Sequence, residues 1–183
     1  MDYIIVPLRS LIRLDADDSL KGMLDSYQGY KSSDQEMFLK EQAVIMEKKG
    51  MSRTYLALDP NDAGKILGYV SIGLRCMSVP DDTGVSGGFG KKMNIDPESK
   101  VAQSYLIGQL SRSTDADSGL GRMLLKEALG MFDKANLIVG CRLVRVDCTD
   151  ELIDYYKGCG FSRVTKNKAK DLNQMAYILT MDE

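Results

Sequence analysis

The second half of the chain carries a strand, a loop, a helix and another strand in one continuous run. Residues 101–110 (VAQSYLIGQL) have the apolar content of a strand, and the polar loop 111–118 follows them. The segment GLGR at 119–122 begins a helix that continues with MLLKEALGMFDKAN. Residues 141–148 (CRLVRVDC) end in alternating apolar and polar side chains, as a strand with one buried face does. This order predicts a fold in which helices pack on a sheet.

An antiparallel hairpin is predicted before this run. Residues 53–58 (RTYLAL) and 66–75 (ILGYVSIGLR) are rich in aliphatic and aromatic side chains, and the turn cluster DPNDAG separates them. Residues 77–100 then form a long connection that contains the glycine-rich stretch 84–90. A connection of this length is usually functional or mobile, and its glycines leave a phosphate-binding role open.

The N-terminal residues predict a strand and two helices. Residues 3–9 are predicted to form a short strand, and 15–31 to hold a short helix. Ser33 and Glu36 have the spacing of a capping box, in which each side chain bonds the backbone amide of the other residue. A helix is therefore expected over 34–49.

The whole chain, 1–183, is expected to form a single domain. A length of 183 residues suits one domain, and 44% of the residues are hydrophobic, which allows a large core. A short helix is predicted over 150–157, and the last strands over 161–165 and 175–180. No internal repeat and no break in composition marks a second domain.

The absence of histidine narrows the possible chemistry. A chain with no histidine cannot build a Ser–His or Cys–His nucleophile pair or a histidine metal site, so no metal is expected. The four cysteines form no CxxC motif and are interpreted as buried free thiols, which are Cys76, Cys141, Cys148 and Cys159. A chain with few cysteines and no recognisable signal peptide fits the reducing cytoplasm.

The Gly119-x-Gly121 pair at the helix start is a phosphate-binding pattern, since first-turn amides lack partners within the helix. A Walker loop is absent, and Leu124 stands where a dinucleotide fingerprint needs a third glycine. Downstream, residues 155–161 read YYKGCGF. Together these elements resemble the core of the GNAT acetyltransferase superfamily over residues 53–180. There the loop reads Q/R-x-x-G-x-G/A, and Ala116 departs from it at the first position.

The resemblance implies an α/β domain with a mixed sheet in which two parallel strands, 107–112 and 143–148, splay apart to admit acetyl-CoA as cosubstrate. Amides near the end of the first strand would bind the pantetheine arm, and the amides of the loop and first helical turn would bind the pyrophosphate. The residues so implied are Leu110, Ser111, Arg112, Ser118, Gly119, Leu120, Gly121 and Arg122.

The resemblance also implies direct attack of an amine on the acetyl carbonyl, with Tyr156 as the general acid for the departing thiolate. The alternative for Tyr156 is a packed aromatic ring, which is also the reading for Tyr155. Cys148 and Cys159 lack a histidine to activate them as nucleophiles. Either Asp147 or Glu151 could be the base, and an α-amine would need none because its pKa is about 7.7–8.0.

The sequence leaves the acceptor of the acetyl group open. The order of a helix ending near residue 50, then SRTYL at 52–56 and ILGYVSI at 66–72, is similar to GNAT toxins of toxin–antitoxin pairs. These acetylate aminoacyl-tRNA and are inhibited by an antitoxin. The alternatives are another small or protein amine, or a GNAT-like module that binds acyl-CoA or a protein without turnover. The sequence also leaves open whether the chain forms a homodimer.

Binding of tRNA requires a basic surface, whereas the net charge of this chain is −2. Nine cationic residues could cluster beside the cleft or be dispersed over a solvated face, and these are Lys91, Lys92, Arg112, Arg142, Arg145, Arg163, Lys166, Lys168 and Lys170.

Overall fold

The structure, a computed structural model, describes residues 2–15, 19–31, 33–81, 83, 85–167 and 169–180. The strands are β1 (Ile4–Pro7), β2 (Ser52–Asp59), β3 (Asp62–Ser78), β4 (Val101–Arg112), β5 (Leu143–Cys148), β6 (Ser162–Asn167) and β7 (Leu172–Ile178). The helices are α1 (Leu8–Leu14), α2 (Ser19–Asp25), α3 (Ser33–Met37), α4 (Ala43–Lys48), α5 (Gly87–Lys92), α6 (Leu120–Asn136) and α7 (Ile153–Lys157), with a π-helical segment at Phe38–Gln42 and a 3-10 turn at Asp150–Leu152.

The strands follow the order β1-β2-β3-β4-β5-β7-β6 in one sheet. The β4–β5 pair is parallel, whereas the β1–β2, β2–β3, β5–β7 and β6–β7 pairs are antiparallel. The predicted mixed sheet with flanking helices is therefore confirmed, as are the hairpin β2–β3 and the order β4, α6, β5. In the described part of the chain, no helix has both the length and the apolar composition that a membrane span requires.

The chain divides into two compact units. The first contains residues 1–73 and 108–128, and the second contains residues 74–107 and 129–183. The expectation of a single domain over 1–183 stays a prediction.

The first unit differs from the sequence prediction at its first helix. The strand β1 ends at Pro7, and α1 starts at Leu8, so the strand predicted over 3–9 is wrong at its last two residues. Pro7 has φ −64° and ψ 128°, an extended conformation that serves as the N-cap of α1. Leu8 is fully buried and joins a core that also contains Leu24, Leu39 and Tyr69.

The helix predicted over 34–49 is formed by α3, the π-helical segment and α4. Gly50, with φ +69°, follows its end. Among the described residues, no hydrogen bond joins Ser33 and Glu36 as the predicted capping box requires; the Glu36 carboxylate instead accepts from the Gly29 amide (3.1 Å) and the Lys40 ammonium (2.6 Å). The Tyr69 hydroxyl on β3 donates to the Gln35 carbonyl on α3 (2.6 Å) and so joins this helix to the sheet.

The second unit packs its apolar core on β5 and β7. This core contains Met77, Met93, Ala102, Leu143 and Ala176 among its buried members. The long connection predicted over 77–100 contains the helix α5, which the sequence analysis missed. The Ser86 hydroxyl accepts from the Phe89 amide and so caps this helix. Gly84 lies outside the described residues.

Candidate functional site

The loop after β4 is held by backbone hydrogen bonds within the first unit. It begins at Ser113, because β4 extends to Arg112 and so includes Ser111 and Arg112, which were predicted to open the loop. The Ser113 amide donates to the Leu67 carbonyl (2.7 Å), and the Thr114 amide donates to the Gln28 carbonyl (3.1 Å). Two neighbouring segments of the chain therefore fix the path of the backbone as it leaves the strand.

One side of the loop is apolar, and the other faces solvent. Ala116 is buried against Leu120 and other apolar side chains of the first unit, so the position where GNAT loops carry Gln or Arg here serves packing. Ser118, Gly119 and Arg122 are exposed. A Cβ atom at Gly119 would meet nothing within 4 Å, so the backbone there borders open space. An anion could approach this part of the loop.

The helix α6 starts directly after the loop, at Leu120. The Leu120 amide donates to the Asp117 carbonyl (3.1 Å), and the Arg122 amide donates to the Gly119 carbonyl (3.1 Å). The Leu120 and Arg122 amides, both expected to bind pyrophosphate, thus have backbone partners, which a bound phosphate would have to share. The partial positive charge at the start of this 17-residue helix favours an anion at the same place.

The last residues of β4 are engaged by the N-terminal segment. Leu110 is partly buried against the apolar cluster under the loop. The Tyr27 hydroxyl donates to Ser111 Oγ (2.8 Å), and burial raises the pKa of Tyr27 to about 12. The Arg112 guanidinium lies 3.5 Å from the centroid of the Tyr30 ring. Neither tyrosine was predicted from the sequence, because no local pattern links Tyr27 to Ser111, 84 positions away, or Tyr30 to Arg112, 82 positions away.

A glycine at position 68 of β3 permits close packing beside the site. A Cβ atom there would lie 2.7 Å from the Ser111 carbonyl oxygen, 3.0 Å from Leu124 Cδ1 and 3.1 Å from Leu120 Cδ2. Any side chain at Gly68 would push against both the end of β4 and the first turns of α6. The glycine of the ILGYVSI segment therefore has a steric reason within the first unit.

The strands β4 and β5 were predicted to splay apart and leave a gap between them. The described parallel register joins Tyr105, Leu106 and Ile107 to residues 144–146 and lies within the second unit. From residue 108 onward β4 belongs to the first unit. The gap between the strands stays a prediction.

Tyr156 lies on α7 in the second unit and is 5% exposed. The centroid of its ring is 5.1 Å from that of Tyr155 and 5.6 Å from that of Phe161, both in edge-on arrangements. Burial is the main cause that raises the pKa of Tyr156 above its usual value, and the neighbouring Tyr155 adds to it. The phenol therefore keeps its proton at neutral pH, as both a packed ring and a general acid would.

The other candidate groups near α7 are less available. Cys148 is buried, and burial raises the pKa of this thiol to about 11, which disfavours the nucleophilic thiolate. Both Asp147 oxygens accept from Arg145, at 2.7 Å each, so this carboxylate is not a free base. Glu151 is exposed. Cys76 is also exposed, so its predicted burial is wrong.

The cationic residues have different environments. Arg145 is buried in its pair with Asp147, and Lys166 pairs with Asp150 and Asp171, so neither is a free surface charge. Lys168 lies outside the described residues. Three others, Lys91, Lys92 and Arg142, line one groove of about 870 Å³ in the second unit. They form no ion pair with any residue that the structure describes.

No protein-family model matches this sequence, and no curated protein is significantly similar to it. Solved structures match over nearly its whole length. AtaT complexed with acetyl-methionyl-tRNAfMet matches with a TM-score of 0.74 at 21% identity, over 97% of this chain and 95% of that chain. AtaTR bound with acetyl-CoA matches with a TM-score of 0.68 at 20% identity, over 96% and 93%.

A mutant AtaT toxin bound to the C-terminus of the antitoxin AtaR matches with a TM-score of 0.71 at 19% identity, over 97% of this chain and 94% of that chain. At these identities the likeness shows the fold. This chain has the fold of the GNAT proteins, which confirms the architecture expected from the Gly119-x-Gly121 loop and the YYKGCGF segment.

Proposed function

We propose that this chain is an acetyl-CoA-dependent N-acetyltransferase that acts as a toxin by acetylating the α-amine of aminoacyl-tRNA. The observation that carries the proposal is the match of 97% of the chain to AtaT in its complex with acetyl-methionyl-tRNAfMet. The solvent-facing loop at Gly119 supports it independently, because a phosphate needs backbone that it can approach.

The loop and the first turn of α6 are the proposed pyrophosphate site. Gly119 and Gly121 let the phosphates approach the backbone, while Ser118 and Arg122 are exposed beside them. The positive end of the helix and the Arg122 guanidinium favour the negative charge. Backbone groups at Leu110 and Ser111 are the proposed contacts for the pantetheine arm.

In the proposed reaction, the acceptor nitrogen attacks the acetyl carbonyl carbon. The new C–N bond forms as the C–S bond breaks, and the amine loses one proton while the thiolate gains one. Tyr156 donates the hydrogen bond, and then the proton, to the sulfur. Because burial raises the pKa of Tyr156, the phenol keeps its proton until negative charge develops on the sulfur. Solvent then returns a proton to the phenolate. No covalent enzyme intermediate is required.

A cationic groove in the second unit supports aminoacyl-tRNA as the acceptor. Lys91, Lys92 and Arg142 face one groove, and phosphate contacts with cations supply most of the affinity in nucleic-acid binding. Since AtaT is also known bound to the C-terminus of its antitoxin AtaR, we propose a small antitoxin as the protein partner of this chain. An aminoacyl-tRNA acceptor would place the reaction in the cytoplasm.

The decisive experiment is acetyl transfer in vitro. The purified chain is incubated with acetyl-CoA labelled in its acetyl group and with methionyl-tRNA, other aminoacyl-tRNAs, uncharged tRNA, or free amino acids. We expect label on aminoacyl-tRNA and none on uncharged tRNA. Neutralising Lys91, Lys92 and Arg142 together should raise KM for the tRNA and flatten its salt dependence, with KM for acetyl-CoA unchanged.

The outcomes separate the alternatives. Label on free amines but not on aminoacyl-tRNA would keep the acetyltransferase and reject the toxin acceptor. Binding of acetyl-CoA without label on any acceptor would support a non-catalytic module instead. Calorimetry that detects no binding of acetyl-CoA would refute the proposal as a whole.

A further inference from the structure

A stacked pair joins the N-terminal segment to the end of β4. The Arg112 guanidinium carbon lies 3.5 Å from the centroid of the Tyr30 ring, well inside the range of a cation–π contact. The Tyr30 amide also donates to the Arg112 carbonyl (3.0 Å). Lys31 Nζ lies 5.8 Å from the same ring. Tyr30 is half exposed, so core packing does not explain the stack.

The same guanidinium ties the first turn of the loop. Arg112 Nη1 donates to the Ala116 carbonyl (2.9 Å) and, more weakly, to the Ser113 carbonyl (3.3 Å). The Ser113 carbonyl also accepts from the Ala116 amide, which closes the turn. Because a guanidinium is planar, one group can stack on a ring and donate within its plane at the same time.

The segment that carries Tyr30 is itself anchored. Gly29 forms a β-bridge with Ser113, and its amide donates to the Glu36 carboxylate. The Gln28 carbonyl accepts from the Thr114 amide. These contacts connect the segment before α3 to the loop after β4. They keep the Tyr30 ring against the Arg112 guanidinium.

We infer that Tyr30 and Arg112 are positioning residues for the acetyl-CoA loop. Tyr30 fixes the guanidinium, and the guanidinium fixes the turn that leads into residues 117–121. Arg112 thus acts through the loop backbone, whereas the resemblance to GNAT enzymes implied a contact with the cosubstrate. The inference rests on the proposed function of this loop.

The test measures acetyl-CoA affinity by calorimetry for the wild type, Tyr30→Leu and Tyr30→Phe. Tyr30→Leu removes the ring face and should weaken binding roughly three- to thirty-fold, the range that corresponds to one cation–π contact. Tyr30→Phe keeps the ring and should rescue the affinity. Leu14→Ala, which shortens an exposed side chain elsewhere in the same unit, is the control and should bind like the wild type.

A second variant and a kinetic readout separate positioning from stability. Arg112→Lys keeps the charge but loses the planar group, and the double variant with Tyr30→Leu should lose no more than the larger single effect. In steady-state assays KM for acetyl-CoA should rise while kcat stays within about twofold. If Tyr30→Leu does not fold, the acetyl-CoA affinity of the Arg112→Lys single variant decides between positioning and no role.

Each outcome supports or overturns the inference. A wild type that does not bind acetyl-CoA removes the proposed function and the inference with it. A wild type that binds, together with a folded Tyr30→Leu of equal affinity, overturns the inference alone. A lower Tm with unchanged affinity also overturns it, since the stack would then only stabilise the fold. Additive losses in the double variant would show that the two residues act separately.

Discussion

The loop after β4 and the surroundings of Tyr156 have opposite physical characters. In the first unit, Gly119 is exposed, and a Cβ atom there would meet nothing within 4 Å. In the second unit, Tyr156 is packed between aromatic rings, and burial raises its pKa. The loop offers backbone to solvent, whereas the tyrosine is withdrawn from it.

This difference follows from what each region is proposed to do. A diphosphate binds through amides and charge, so its site needs access and glycines without side chains. A proton donor needs only to be protonated, and burial, which disfavours the charged phenolate, keeps the phenol neutral. A side chain that blocks the loop therefore tests the access of the diphosphate, and removal of the Tyr156 hydroxyl tests proton donation.

The largest effect is expected from Gly121→Glu. A carboxylate in the first turn of α6 would occupy the pyrophosphate site and repel the phosphates, so acetyl-CoA binding should be lost. Calorimetry measures this directly. The control is Gly130→Glu in the same helix, where a Cβ atom meets nothing within 4 Å and binding should persist. Unaltered affinity in the Gly121 variant would reject the loop as the cosubstrate site.

Removal of the Tyr156 hydroxyl should affect chemistry and not binding. Tyr156→Phe keeps the ring contacts with Tyr155 and Phe161, so the variant should fold normally. A general acid contributes roughly 10²–10⁴-fold, and kcat should fall by that factor with acetyl-CoA affinity nearly constant. Tyr177→Phe, in a neighbouring ring of the same cluster, should leave kcat unchanged. Wild-type turnover by the Tyr156 variant would assign the residue to packing.

A methyl group at Gly68 tests how strictly the loop geometry is set. Gly68→Ala would press on the Ser111 carbonyl and on Leu124, which costs roughly 1–3 kcal/mol of stability for an overpacked site. Denaturant unfolding measures this loss, and acetyl-CoA affinity should weaken with it. Gly64→Ala on the same strand has its nearest neighbour at 3.9 Å and is the matched control. Equal stability of both variants would contradict the close packing.

The smallest effect concerns pH. An acid must be protonated to act, and burial raises the pKa of Tyr156 above its usual value of about 10. Its titration should therefore leave kcat level up to about pH 10, with any loss above that. The pH profile of kcat, measured with an α-amine acceptor, checks this. A descending limb below pH 9 that disappears in Tyr156→Phe would show that the phenol ionises too early.

The local pattern of the chain predicted most elements but not all. The hairpin, β4, α6 and β5 follow from apolar periodicity and from turn residues that lie next to each other in sequence. The helix α1 was missed because the apolar run before Pro7 continues beyond it, so periodicity alone gave no boundary. The helix α5 was missed because five of its six residues are glycine or lysine, and a short helix of this composition depends on its cap and its packing.

Side-chain environments were harder to predict than elements. Arg145 and Asp147 were interpreted as a surface cation and a candidate base, yet they form a bidentate pair in which Arg145 is buried. Cys76 was expected to be buried and is exposed. Alternation along a strand indicates which residues share a face, but only the neighbouring strands decide what covers that face.

The sequence by itself determined the order of most strands and helices, the position of the glycine loop and the absence of any histidine chemistry, because these depend on residues adjacent in the chain. Tertiary structure alone decided that Tyr27 and Tyr30 hold the end of β4, that Gly68 admits no side chain, and that Tyr156 is buried. The physical reason is distance along the chain: contacts between residues far apart in sequence exist only once the backbone has folded, and no local pattern encodes them.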